Sequence, residues 1–226
     1  MEWYFNVLFT SIFQCFFFCE TAAVPVHVDM DPEIGQAAEQ NFMSELTRAN
    51  AIVDRLIQTS PNVVRLRHRL RHNPSDRERD VIEDQLMNEY EAALYQGGVP
   101  PGMVPSLAHM LARNTVRDIY MEGTRHGDSI VVYFMCKTIQ SLFSLGQMIV
   151  SGFMHAVFAV AVESFARTTV DVYVRGDEFH VRLLCLMTPQ DKGSFVHRLI
   201  VIIIIIKAIC NVQGPLKKAA NALSGS

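Results

Sequence analysis

Cysteine is scarce in this 226-residue chain: five residues, an odd number, scattered at Cys15, Cys19, Cys136, Cys185 and Cys210. That excludes a disulfide framework, which staples a small fold with an even set; buried, reduced thiols fit better. Charge is scarce as well. Asp, Glu, Lys and Arg make up 19% of the chain and the net charge is −3, whereas a chain built around nucleic acid carries a strong basic excess. Catalytic signatures are missing altogether. There is no nucleophile elbow, no phosphate-cradling loop, no dinucleotide glycine pattern and no zinc-binding helix motif. No internal repeat occurs either. The expected protein is non-enzymatic, with no cofactor and no metal.

What is abundant is hydrophobic side chain, half of all residues, distributed in blocks. Trp3 to Cys19 runs seventeen residues without a charge and holds six phenylalanines. With Thr21-Ala22-Ala23 after it, residues 1–23 read as a leader, either a signal peptide cut after Ala23 or a retained anchor. Glu2 in place of a basic n-region departs from the signal pattern, and the run is short for a span, which needs roughly 20 apolar residues. A buried helix or a non-native start remain alternatives. Residues 24–35, with two prolines and three acids, read as a linker.

Residues 36–118 form a helical region. Phe42, Leu46, Ala49, Val53 and Leu56 recur at helical spacing over Gln36–Ile57. Ser60-Pro61 breaks that helix, and a second piece covers Asn62–His72. Ser75-Asp-Arg-Glu78 is a capping box opening a third helix, which should bury Val81, Ile82, Leu86, Tyr90 and Leu94 and stop at Gly97-Gly98. Ser106–Arg117 makes a shorter helix with Leu107, Met110 and Leu111 inward, and Gly123–Asp128 reads as a loop.

Residues 119–190 read as a strand–helix–hairpin unit. Ser129–Cys136 is an apolar strand. In the long segment from Thr138 to Phe165, Gln140, Ser144, Gln147, Ser151 and His155 form one mild polar stripe. Ile139, Leu142, Phe143, Met148, Ile149, Phe153, Val157 and Phe158 cover much of the rest. That pattern favours one long amphipathic helix packed on a sheet over a span at 138–162. Val170, Val172 and Val174, then Phe179, Val181, Leu183 and Cys185, alternate with Asp171, Tyr173, Arg175, Glu178, His180 and Arg182, the period of an antiparallel hairpin. Residues 195–212 hold an apolar tail segment, with eight aliphatic residues from Leu199 to Ile206, too short to span alone. Residues 213–226 read as a disordered tail.

The candidate chemistry is thin. His68 and His72 share a metal-like spacing, but Arg65, Arg67, Arg69 and Arg71 surround them and repel a cation. Those four arginines are better read as a solvated basic patch that could meet an acidic partner, anionic lipid or RNA. Arg175-Gly176-Asp177 matches the integrin-binding tripeptide, yet Gly and Asp are also what a tight turn requires. Tyr173, Arg175, Gly176, Asp177, Glu178, His180 and Arg182 form the candidate interaction surface at the hairpin. His155 and Glu163 on the long helix, and His180, read as solvated or hydrogen-bonded groups. Cys136 and Cys185, in apolar strands without a basic neighbour, should be inert.

The order of strand Ser129–Cys136, helix with Leu142-Phe143 and Ser151-Gly152-Phe153-Met154, then Val170-Asp-Val-Tyr-Val-Arg and Glu178-Phe179, resembles a module of invertebrate adaptor-like proteins. That module is similar to the amino-terminal domain of the death-domain adaptor for tumour necrosis factor receptor 1. The resemblance spans about residues 128–187 and implies an α+β protein-interaction domain without catalytic residues. The hydrophobic leader and the isoleucine run depart from it, and no death domain is recognisable. The expectation is therefore an α+β fold, an N-terminal helical region followed by a small antiparallel sheet with one long packed helix. It would act as an adaptor or interaction module in signalling. Its partners would be other proteins, with a membrane contacted through residues 3–19 or 199–206, self-association open and nucleic acid disfavoured. The alternative is a secreted or membrane-anchored surface protein, or an integral membrane protein spanning at 138–162. The leader decides between a membrane or secretory location and a cytoplasmic one.

Overall fold

The computed structural model describes residues 22–30, 36–72, 74–126, 130–166, 168–176, 178, 179 and 182. The leader before residue 22, residues 31–35, Asp177, His180 and the apolar and tail segments beyond residue 182 lie outside the described residues.

The fold is α+β: a four-stranded antiparallel sheet with helices packed against it. Strand order is β2 (Ile119–His126), β3 (Ile130–Cys136), β1 (Ala22–Met30) and β4 (Val170–Tyr173). β1 occupies the stretch expected to be a linker. Val24, Val26 and Val28 alternate inward and are almost wholly buried, which is what drives the strand. Pro25 between them and the acids Asp29, Asp31 and Glu33 that follow disguise that period. Pro25, which cannot donate a hydrogen bond, pairs with Tyr133 of β3, and β4 reaches only as far as His27. The proline therefore sits where β1 has a single neighbour, a tolerable place for it.

The expected loop at Gly123–Asp128 is likewise corrected to strand as far as His126. Ile119 and Met121 face the core, then a bulge between Met121 and Gly123 adds a residue. The inward phase resumes at Thr124, whose hydroxyl meets Thr47. A bulge breaks the two-residue period and so conceals the strand.

The helical region follows the expected pattern more closely. α1 (Gln36–Thr59) buries Phe42, Leu46, Ala49 and Val53. α2 (Pro61–Leu70) starts at Ser60, whose side chain accepts from the Val63 amide, with Pro61 in the first turn where its missing N–H costs nothing. α3 (Asp76–Gln96) opens on the complete Ser75–Glu78 capping box and buries Ile82, Leu86, Tyr90 and Leu94. Val81 departs from expectation: it is 44% exposed. α4 (Val104–Val116) is the central helix, with Leu107, Ala108, Met110, Leu111, Ala112, Asn114, Thr115 and Val116 all buried.

The long helix is two helices. α5 (Ile139–Val150) and α6 (Phe153–Glu163) meet at a 62° bend. Gly152 sits there at φ 77°, a left-handed conformation that glycine adopts without penalty and that ends a helix. The Gln140–Ser144–Gln147–Ser151–His155 stripe does face outward. Leu142, Leu145, Met148, Met154, Val157, Phe158, Ala161 and Val162 face the core. Phe158 meets Phe42 of α1 edge-on, ring centres 5.9 Å apart. Among the described residues no single helix is long and apolar enough to cross a membrane. α5 and α6 together reach that length and composition, in bent form.

The hairpin is also corrected. After β4 the backbone is helical at Gly176, Glu178, Phe179 and Arg182, and the Phe179 amide donates to the Arg175 carbonyl at 3.0 Å. Val174 and Phe179 are both buried, as a hairpin would also have them, but here a helical turn rather than a second strand brings Phe179 inward. Short apolar runs fit either period, so alternation alone misleads here.

Candidate functional site

The sheet places several polar groups at defined ends. Register runs Ala22↔Cys136↔Ile119 at one end and Val28↔Ile130↔His126 at the other. β4 runs antiparallel to β1, from Val170 opposite Met30 to Tyr173 opposite His27. The chain leaving β4 therefore heads toward the end where β1 begins, called here the Ala22 end.

On the outer phase of β1, His27 and Asp29 meet the candidate residues that follow β4. The His27 and Tyr173 rings stack at 5.1 Å, and His27 Nε2 lies 3.1 Å from Glu178 Oε2. The Tyr173 hydroxyl donates to Asp29 Oδ2 at 3.0 Å. Burial, then that bond to Asp29, pushes the Tyr173 hydroxyl above the usual phenol range. Tyr173 and Glu178 are thus engaged within the fold rather than displayed at a hairpin tip. Arg175 is exposed, Gly176 and Arg182 half-buried, and Asp177 and His180 lie outside the described residues. The sequence reading missed His27 and Asp29, because they lay in the supposed linker. Their signal was the opposite phase to Val24, Val26 and Val28.

The arginines of α2 divide. Arg67 turns inward and its guanidinium donates to the Tyr120 hydroxyl at 3.3 Å. That hydroxyl in turn donates to Asp118 Oδ1 at 2.9 Å. Burial, then the bond to Asp118, raises the Tyr120 hydroxyl, with Arg67 opposing. Lys137 lies over the Tyr120 ring, 4.6 Å from its centre. Arg65, Arg69 and Arg71 are exposed, as are His68 and His72, whose rings lie 4.6 Å apart. Asp54, close to Arg67, has its carboxyl raised by burial.

A third cluster ties α3, α4 and α6 together. Arg113 Nε donates to the buried Glu83 at 2.9 Å and lies over the Phe153 ring, with His109 Nε2 3.5 Å from the same carboxylate. An arginine-paired carboxylate with an aromatic cap is a structural solution to burying a charge. Burial pushes the Cys136 thiol up to about 12, so it stays protonated and unreactive at neutral pH. Among the described residues no group of three or more His, Cys, Asp or Glu side chains could hold a metal ion. Comparison with protein-family models, with curated proteins and with solved structures finds no match to this chain.

Proposed function

We propose that the protein is a non-enzymatic interaction module of the adaptor type in signalling, held at a membrane by the apolar stretches that flank its folded unit. One observation supports the attachment. Trp3–Cys19 lies just ahead of β1 in the sequence, and both the start of β1 and the run of β4 from Val170 to Tyr173 are directed to the Ala22 end. Two apolar stretches, each too short to span securely on its own, flank the folded unit in the sequence. Two modest anchors together hold where one is marginal. The adaptor part of the reading draws on the resemblance across residues 128–187. It also draws on a set of polar clusters that bind elements of the fold to one another.

The secreted alternative keeps one structural point in its favour. A cut after Ala23 would leave Val24, Val26 and Val28, the buried residues of β1, in place.

Fractionation of cells making the full chain tests the proposal. Attachment by both flanks leaves the protein in membranes after carbonate washing, and serine replacement of Ile202–Ile206 releases much of it. Chemical crosslinking of the membrane-bound chain should then capture a discrete protein partner. A chain that stays soluble overturns the attachment, and a mature protein starting at Val24 favours export.

A further inference from the structure

We infer that the exposed face of α2 is a docking surface for an anionic phospholipid bilayer, an inference that rests on the membrane-attachment reading above and names the lipid chemistry. Residues Pro61–His72 contain four arginines, two histidines and no acid, in a chain whose net charge is −3. Arg65, His68, Arg69 and His72 are separated by three, one and three residues, so they share one side of the helix. Arg71 flanks them. All five are exposed, and Val64 beside them is 48% exposed, an apolar side chain among cations.

α2 is held at the Ala22 end of the sheet, where β1 begins. Arg67, on its inward side, reaches Tyr120, one residue into β2 and opposite Met135 at the Ala22 end; Lys137 covers the same ring. Exposed Arg175 follows β4 as it heads the same way. The nearby acids are largely engaged. Glu78 is drawn into the cap of α3, and bonds from Ser75 hold its carboxyl below the usual range. Asp118 accepts from Tyr120, and Asp54 has its carboxyl raised by burial. Arg69 also helps to lower the Glu78 carboxyl, and Asp76 stands exposed in the first turn of α3.

A bilayer fits this surface better than RNA. α2 carries no Phe, Tyr or Trp to serve as a stacking platform for bases, whereas arginines around an exposed valine suit the boundary between headgroups and acyl chains. Each cation held near an anionic surface tightens binding by a factor of roughly five. Arg65, Arg69 and Arg71 together then supply on the order of a hundredfold.

The test uses the full chain, synthesised in the presence of vesicles and separated by flotation. Vesicles of phosphatidylcholine alone are compared with vesicles that also contain phosphatidylserine. Wild type should bind both, with a large phosphatidylserine increment that falls as salt rises. The Arg65→Gln, Arg69→Gln, Arg71→Gln variant should lose most of that increment and keep its binding to phosphatidylcholine. Arg125→Gln, at the other end of the sheet, should change neither. Circular dichroism confirms that each variant is folded. An increment that survives the triple substitution overturns the inference, as does a wild type indifferent to phosphatidylserine. Displacement of the chain from the vesicles by a single-stranded RNA oligonucleotide overturns it in favour of RNA. Absence of binding to phosphatidylcholine, with an arginine-dependent increment intact, counts instead against attachment through the flanks.

Discussion

The two ends of the sheet are built from the same strands and differ in charge. At the Ala22 end stand Lys137, Arg67 and the exposed arginines of α2, with Asp118 and Asp54 committed to local partners. At the Met30 end, Asp29 and Asp171 face each other across β1 and β4, and Glu39 meets His126 at 2.9 Å. Like charges directly opposite on a sheet are mildly destabilising, and here the Tyr173 hydroxyl partly compensates by binding Asp29. Nothing in the overall charge of −3 reveals this polarity, because that number sums over the whole chain. On the proposed reading, cations gathered at the Ala22 end give the domain one side for an anionic membrane and leave the other for a partner.

The comparison can be broken most severely by removing the core that joins the ends. Phe134, wholly buried in β3, should cost about 3–5 kcal/mol on replacement by Ala. Urea unfolding should register that as a large fall in midpoint, with both ends lost together. The next largest effect separates them: neutralising Arg65, Arg69 and Arg71 should weaken binding to phosphatidylserine vesicles by about a hundredfold. Asp171→Asn at the opposite end should leave that binding nearly unchanged.

Smaller effects sharpen the scaffold. Ser75→Ala removes the cap of α3, beside the basic surface, and should lower stability by about 1 kcal/mol without moving the vesicle increment. Asn114 has both amide atoms buried without a hydrogen-bond partner. Asn114→Leu should therefore raise the unfolding midpoint, by the equivalent of about 1 kcal/mol. Alkaline pH acts through Cys136 and Tyr90. Burial moves the thiol from 9.0 and the phenol from 10.0, each to about 12. The unfolded chain sheds these protons first, so stability is whole below pH 9 and declines as pH climbs toward 12. A denaturant midpoint measured across that window should fall, and less so in Tyr90→Phe.

The sequence conveyed the helices well because their signals are local. The capping box at Ser75, the proline at 61 and the Phe42–Leu46–Ala49–Val53 spacing each act within one or two turns. What it concealed depended on long-range pairing or on a broken period. β1 resembled a linker because Pro25 interrupts three valines and acids follow them, while their partners lie more than a hundred residues away, in β3. β2 was hidden by the bulge after Met121, and the helical turn after β4 by an alternation that reads as a hairpin. The basic patch was legible as composition, but its division into an anchoring Arg67 and exposed Arg65, Arg69 and Arg71 required Tyr120 to be placed. The interaction surface around Tyr173 and Glu178 changed character once His27 and Asp29 were beside it.

Chemical protection of individual arginines tests the central claim most directly. The full chain would be treated with phenylglyoxal, free in detergent and bound to vesicles containing phosphatidylserine, and each site read by mass spectrometry. The account expects Arg65, Arg69 and Arg71 to lose reactivity on the vesicles while Arg125, near the Met30 end, keeps it. Equal reactivity at all four sites, or protection confined to Arg125, would contradict it.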